Sequence, residues 1–306
     1  MPTVTALHHL GLNAPSGIIA AAGDVWFTNI GDDRIGRVRN GQIELFGAEP
    51  GVIRFPANIF PAADGRVWCT SLGSDALVAI DPDSADPAST ITSYPLPAGS
   101  RPVALKAAPD GRLWFSLRGA DAIGSIDPCA ADPVASLQLI TDDGIAAPAA
   151  LFVTGAGRPW WVNAASIGSV DPLTGHVRTI GSLPATPRAW TRSDDGTLWL
   201  TPREPPGLLA FDPERPTHTL RLITHPDLVE PDGICTGADG RLWLVDSATD
   251  RIAIVVPDHA SNRDAWTFVD SPDVRGPFDI KPGPDPHVMW FTNKAGNSLG
   301  LLDAET

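Results

Sequence analysis

The chain has 306 residues and a formal net charge of −14, which disfavours nucleic acid and anionic membranes as partners, because both are gripped by clustered Lys and Arg. No apolar run approaches the ~18 residues of a membrane span and no charged-then-apolar leader opens the sequence, so a cytoplasmic location without membrane insertion is expected. Cys69, Cys129 and Cys235 are odd in number and far apart, which gives neither metal-type spacing nor a disulfide framework.

The chain opens with TVTALHHL, one unattached strand. A short phrase then recurs seven times. Its tryptophans are Trp26, Trp68, Trp114, Trp160, Trp199, Trp243 and Trp290, and its prolines are Pro15, Pro56, Pro102, Pro148, Pro187, Pro231 and Pro277. Proline and tryptophan lie 12 residues apart in five units, and 11 and 13 apart in the other two. Successive tryptophans are 39 to 47 residues apart, the period of four-stranded propeller blades.

Within each unit an apolar run follows the proline. A turn, four times spelled Asp-Gly, leads into the tryptophan strand. A polar turn, a third strand and an alternating fourth complete the unit. Asp-Gly between apolar runs is a hairpin signal because glycine supplies the positive φ of a tight turn. No segment sustains a 3.6-residue period, so no substantial helix is expected. The expectation is an all-β, seven-bladed β-propeller forming a single domain over 1–306. The last unit has three strands of its own, and the N-terminal strand, residues 3–8 or so, would complete it and cover its open edge.

Loops before the first strand and after the second open on one face of such a fold. The residue after each proline runs Ser16, Ala57, Val103, Ala149, Arg188, Asp232, Phe278. The residue three after each tryptophan runs Asn29, Ser71, Leu117, Asn163, Pro202, Asp246, Asn293. Blades two and three are nearly featureless, whereas blade six gathers Glu230, Asp232 and Asp246. Three converging carboxylates repel unless a proton or cation intervenes. A hard divalent cation prefers oxygen ligands, to which Asn29 and Asn293 could add amide oxygens. Solvated loop carboxylates are the alternative.

The repeating tryptophans read as packing between blades. Trp190 lies outside the repeat, two residues after Arg188, and is a candidate lining residue. His9 and His225 fall in loops leading to the active-side prolines and could reach over a site as general bases.

The phrase P-x-G-I, DGxLWFT, (N/D)xIGxIDP resembles the virginiamycin B lyase (streptogramin B lyase) family over essentially the whole chain. That resemblance implies a seven-bladed propeller that opens a cyclic depsipeptide. An α-proton is removed and the ester oxygen is expelled, with Mg²⁺ held by two glutamates and histidines moving protons. By position it implies Glu230 and Asp246 as metal ligands, with Mg²⁺ favoured over Ca²⁺. Asp232 and Arg188 stand where those lyases have active-site histidines. A carboxylate beside a cation is a poor base, and an arginine suits a carboxylate, phosphate or developing oxyanion.

The expected function is a metal-assisted lyase acting on an ester, lactone or cyclic depsipeptide-like metabolite. Asp232, Arg188 and His225 would be catalytic, and Asn29, Asn293, Trp190, Phe278 and His9 would contact substrate. A gluconolactonase/regucalcin-type lactone hydrolase and a non-catalytic propeller are the alternatives. The expected partner is a small molecule, and the expected state a monomer.

Overall fold

A computed structural model of the chain describes residues 3–163, 166–181 and 183–303. The repeat folds into seven four-stranded antiparallel sheets, the blades of a β-propeller. Blade five comprises Pro187–Arg192, Leu198–Pro202, Gly207–Phe211 and Arg221–Thr224. Blade six comprises Pro231–Thr236, Leu242–Asp246, Arg251–Val255 and Thr267–Asp270. Blade seven takes Pro277–Pro282, Val288–Asn293 and Ser298–Asp303. Its fourth strand is N-terminal: Val4–His8 pairs from Val4↔Leu302 to His8↔Ser298. Among the described residues the one α-helix is the four-residue Pro216–Thr219.

Contacts group the chain into two compact units. One holds residues 1–20 and 184–306, and the other holds 21–183. The first contains blades five, six and seven.

Inside each unit the tryptophan of one blade packs into the next blade. Trp68 shares a buried cluster with Leu105, Leu113 and Phe115, and Trp114 shares one with Leu151 and Trp161. Trp199 lies in a cluster with Leu242 and Leu244, and Trp243 in one with Ile280, Met289 and Phe291. One large flat side chain per blade thus supplies the apolar area that holds neighbouring sheets face to face.

Polar links repeat as regularly. The first strands of blades two, three, five, six and seven bulge between the proline and the residue three after it. A hydroxyl two residues after the tryptophan fills this gap. Thr70 and Thr292 accept from the N–H groups of Asn58 and Asp279 and donate to the carbonyls of Val103 and Ser16 in the next blade. Thr28, Ser116 and Thr201 make the same forward link to Ala57, Ala149 and Asp232.

A second link uses an Asp or Asn seven residues after the tryptophan. Asp33, Asp121, Asp250 and Asn297 each accept the N–H of the residue before the next blade's proline. Asp75 accepts two, from Gly99 and Arg101, both at 2.7 Å. The clasped pre-proline residues Ala14, Phe55, Arg101, Ala147 and Gly276 all have φ between 44° and 53°, a region most side chains avoid. Asp75→Ala strands two donors and releases Arg101 from that conformation. We expect it to cost about 1–2 kcal/mol, read as a lower denaturation midpoint, with Asp75→Asn losing less. Equal losses for the two variants would disprove the clasp.

Blades four and five break this rule. Ile167 and Pro206 occupy the clasp position, and neither has a side-chain acceptor to offer. Glu230, the residue before Pro231, does not share the positive φ, and its N–H turns to Asp246 of its own blade at 3.0 Å. The blade-five departure lies beside the acidic cluster that the sequence singles out.

Candidate functional site

At the junction of blades five and six, where the clasp is missing, a charge cluster takes its place. The first strand of blade six starts at Pro231, and Thr201 of blade five holds the Asp232 backbone by donating to its carbonyl at 2.5 Å. Gly233 follows because a Cβ there would come within 2.6 Å of the Asp279 Cα. This close approach of blades six and seven leaves the Asp232 side chain only 4 % exposed. Arg203, just beyond the second strand of blade five, reaches across to it. Its Nη2 lies 2.5 Å from Asp232 Oδ2 and its Nη1 lies 3.0 Å from Glu230 Oε1. Arg188 adds a second guanidinium, with Nε 3.6 Å from Asp232 Oδ1, while its own side chain is 47 % exposed. Arg203 Nε is buried and has no hydrogen-bond partner among the described residues.

Blade seven contributes a third cation. Lys294 follows the second strand, and its Nζ stands 4.1 Å from the centroid of the Phe278 ring. Burial pulls the Lys294 ammonium below its ordinary 10.5. Asp232 opposes that shift, and Arg188 and Arg203 reinforce it. All five charged groups belong to the unit of residues 1–20 and 184–306.

The donor set does not fit the divalent cation expected here. Asp246 is fully buried, and its oxygens accept the N–H groups of Val229 at 2.7 Å, Glu230 at 3.0 Å and Ala248 at 3.3 Å. Glu230 is committed to Arg203 and to the Ser247 hydroxyl at 3.3 Å. Among the described residues no group of three or more His, Cys, Asp or Glu side chains is placed to hold a metal ion. Three protein cations already occupy the neighbourhood, and a metal would have to displace or face them.

The column that contains Asp246 has a shared structural task. Ser71, Asn163, Asp246 and Asn293 each accept the N–H of the residue two before their own blade's proline: Arg54, Ala146, Val229 and Arg275. Asn293 is thus engaged in tying a loop, and its Nδ2 donates to Asp273 O and Ser298 Oγ. Asn29 lies in the other unit, fully buried, with Nδ2 donating to Asp32.

His225 is not at the rim. It is 7 % exposed and packs against Trp266 and Phe268, with ring centroids 5.2 and 5.1 Å away. Its Nδ1 accepts the Asp227 N–H at 3.2 Å and its Nε2 faces Arg263 O at 3.3 Å. Both ring nitrogens are therefore in use. His9 is exposed, and its Nδ1 accepts the Gly11 N–H at 3.0 Å. Trp190 is 8 % exposed and meets Phe211 edge-on at 6.2 Å within blade five. Of the sequence-selected residues, the structure brings together Arg188, Glu230, Asp232 and Phe278.

Arg203 and Lys294 escaped the sequence reading. Both occupy the position four after the repeat tryptophan, one beyond the column that was compared. The available signal was a lysine at that position in a chain with only three lysines.

Residues 7–203 match the virginiamycin B lyase family. No curated protein matches the chain. Among solved structures, a streptogramin B lyase superposes with a TM-score of 0.81 at 20 % identity, covering 99 % of this chain and 97 % of that one. A catalytically inactive virginiamycin B lyase from Staphylococcus aureus with quinupristin gives 0.84 at 18 %, covering 99 % of each chain. A gluconolactonase from Xanthomonas campestris gives 0.59 at 17 %, covering 99 % of this chain and 89 % of that one. At these identities the likeness is one of fold. The family match includes Arg188 and Arg203 and stops before blade six.

Proposed function

Because the chain belongs to the virginiamycin B lyase family, we propose that it cleaves a C–O bond in an ester, lactone or cyclic depsipeptide-like small molecule. The observation that supports this most is the pair of guanidinium groups, Arg188 and Arg203, on buried Asp232; of these residues Arg188 and Asp232 stand at the positions where the family resemblance puts catalytic histidines. Breaking an ester C–O bond moves negative charge onto the departing oxygen. Fixed positive charge in a partly desolvated place lowers that barrier without reorganisation of solvent. Asp232 and Glu230 hold Arg203 rigid, and Arg188 remains half exposed, free to face a substrate.

A lactone hydrolase is the second reading, favoured by the fold likeness to a gluconolactonase. The two differ in product. Elimination moves the α-proton to a base, turns the C–H electron pair into a C=C bond and releases a carboxylate. Hydrolysis adds water and gives a hydroxy acid.

The test is a panel of cyclic depsipeptides and lactones incubated with the purified protein, with products read by mass and by absorbance of the new double bond. Arg188→Met is expected to lower kcat by about 10²-fold or more, the usual effect of losing one oxyanion-stabilising donor, with the melting temperature little changed. No cleavage of any panel member, or turnover indifferent to Arg188→Met, would reject the proposal.

A further inference from the structure

We infer that Arg188 and Lys294 form a two-armed clamp for a carboxylate, the group that cleavage of an ester or lactone liberates. The identity of that carboxylate as a reaction product rests on the function proposed above; the binding site itself does not.

Three cations, Arg188, Arg203 and Lys294, stand with the carboxylates of Asp232 and Glu230 inside a chain of net charge −14, while the neighbouring Asp246 carboxylate is taken up by backbone N–H groups. Arg203 is consumed by its two carboxylates. Arg188 approaches Asp232 only at 3.6 Å, through Nε. Its Nη groups have no acceptor among the described residues. Lys294 is half-buried on the Phe278 ring, and among the described residues its ammonium likewise has no hydrogen-bonded acceptor.

Lys281 shows what this fold does with a lysine it simply needs to satisfy. Its Nζ lies 2.6 Å from Asp279 Oδ1 and 2.9 Å from Ile280 O. Lys294 lacks such partners although it is held beside two guanidinium groups. Cations gathered in a partly desolvated place repel unless an anion joins them. A carboxylate between the Arg188 fork and the Lys294 ammonium would meet donors on both sides and remove that repulsion. Burial lowers the affinity of Lys294 for its proton most, and the repulsion from Arg188 and Arg203 adds to it.

A bound carboxylate favours protonated Lys294, so binding takes up a proton where the free amine has lost it. Affinity therefore falls as pH rises through the Lys294 value, which lies below the ordinary 10.5.

Succinate is a suitable probe, because its charge no longer changes above neutral pH, and succinamide is its uncharged counterpart. By calorimetric titration of the full chain, succinate should bind saturably and succinamide should not. Arg188→Met and Lys294→Met should each weaken succinate binding about tenfold or more, and Lys106→Met, in the other unit, should leave it unchanged. The alkaline loss of affinity should disappear in Lys294→Met. Binding that is absent, equal for succinamide, or unaffected by both clamp variants would overturn the inference. Succinate binding without cleavage of any ester would retain the clamp and reject the proposed reaction, and cleavage without carboxylate binding would do the reverse.

Discussion

Arg203→Ala should lower the melting temperature by about 3–6 °C, in a background where most surface arginine truncations move it by a degree or less. Asp232 is 4 % exposed, and Arg203 supplies its close counter-charge at 2.5 Å. The remaining cation, Arg188, stands at 3.6 Å. Removing one partner of a buried pair costs about 3–5 kcal/mol, because the other charge is left without compensation. Arg203 is itself 30 % exposed, so solvent screens part of the pair and about 2–4 kcal/mol is the fair expectation. For a chain of 306 residues each kcal/mol is worth about 1.5 °C, the midpoint shift falling as the unfolding entropy grows with length.

The diagnostic step is the double variant. Asp232→Asn removes the charge that Arg203 compensates, so Arg203→Ala combined with Asp232→Asn should be more stable than the sum of the single effects by about 1–3 kcal/mol. Additivity would mean that the pair contributes nothing. The single Arg203→Ala variant also leaves Glu230 and Asp232 without their shared cation. Added Mg²⁺ should then recover part of the lost stability, whereas the unmodified protein should show no such rise. A Mg²⁺-dependent rise in the unmodified protein would show that a metal does compete with Arg203.

The scaffold was legible because a propeller writes its packing into a period. Each tryptophan must reach the adjacent sheet, so the same residue recurs at the same offset, and that offset survives in the bare sequence. The closing strand was legible for a related reason: three strands at one end and one at the other leave a single pairing that covers both edges, as Val4–His8 on Ser298–Asp303 bears out.

The site was less legible, and Asn293 shows why. Asparagine at that offset suits a ligand as well as a backbone N–H, and only the distance to Arg275, 2.9 Å across a loop, decides which it meets. His225 posed the same problem. Its burial depends on Trp266 and Phe268, which lie about 40 residues downstream, and no local pattern announces that contact. Arg203 was missed because it lies one residue beyond the column three after the tryptophan. Its role arises beside a broken column, with Pro206 standing where five blades place the clasping Asp or Asn. Blade four has Ile167 there and gains no such cation, so the lost aspartate alone did not announce the arginine.

The second large effect concerns Asp246, where Ala and Asn should separate sharply. Asp246→Ala leaves the N–H groups of Val229, Glu230 and Ala248 without their acceptor in a site with no exposed side-chain surface. At about 1–3 kcal/mol for a buried donor left unpaired, and with water able to rescue some of them, about 3–5 kcal/mol should be lost. Asp246→Asn should cost less than about 1 kcal/mol, since the amide oxygen keeps the acceptor that Asn163 and Asn293 provide in their blades.

In those blades the asparagine Nδ2 also donates, to Gly144 O and Asp273 O, two residues before the N–H that its oxygen accepts. The corresponding carbonyl in blade six is Asp227 O, and Arg251 Nη2 already donates to it at 3.1 Å. Arg251 thus supplies the donor that aspartate lacks, which is why an acid is tolerated at this one position of the column. Arg251→Met should therefore destabilise the wild type more than it destabilises Asp246→Asn, because the new amide can take over the Asp227 carbonyl. A ligand role for Asp246 makes the opposite forecast: Asn and Ala would both abolish a metal effect, and neither would unfold the chain. Thermal midpoints for Asp246→Asn, Asp246→Ala and the pair with Arg251→Met decide between a strut and a ligand, and equal midpoints for Asn and Ala would dismiss the strut.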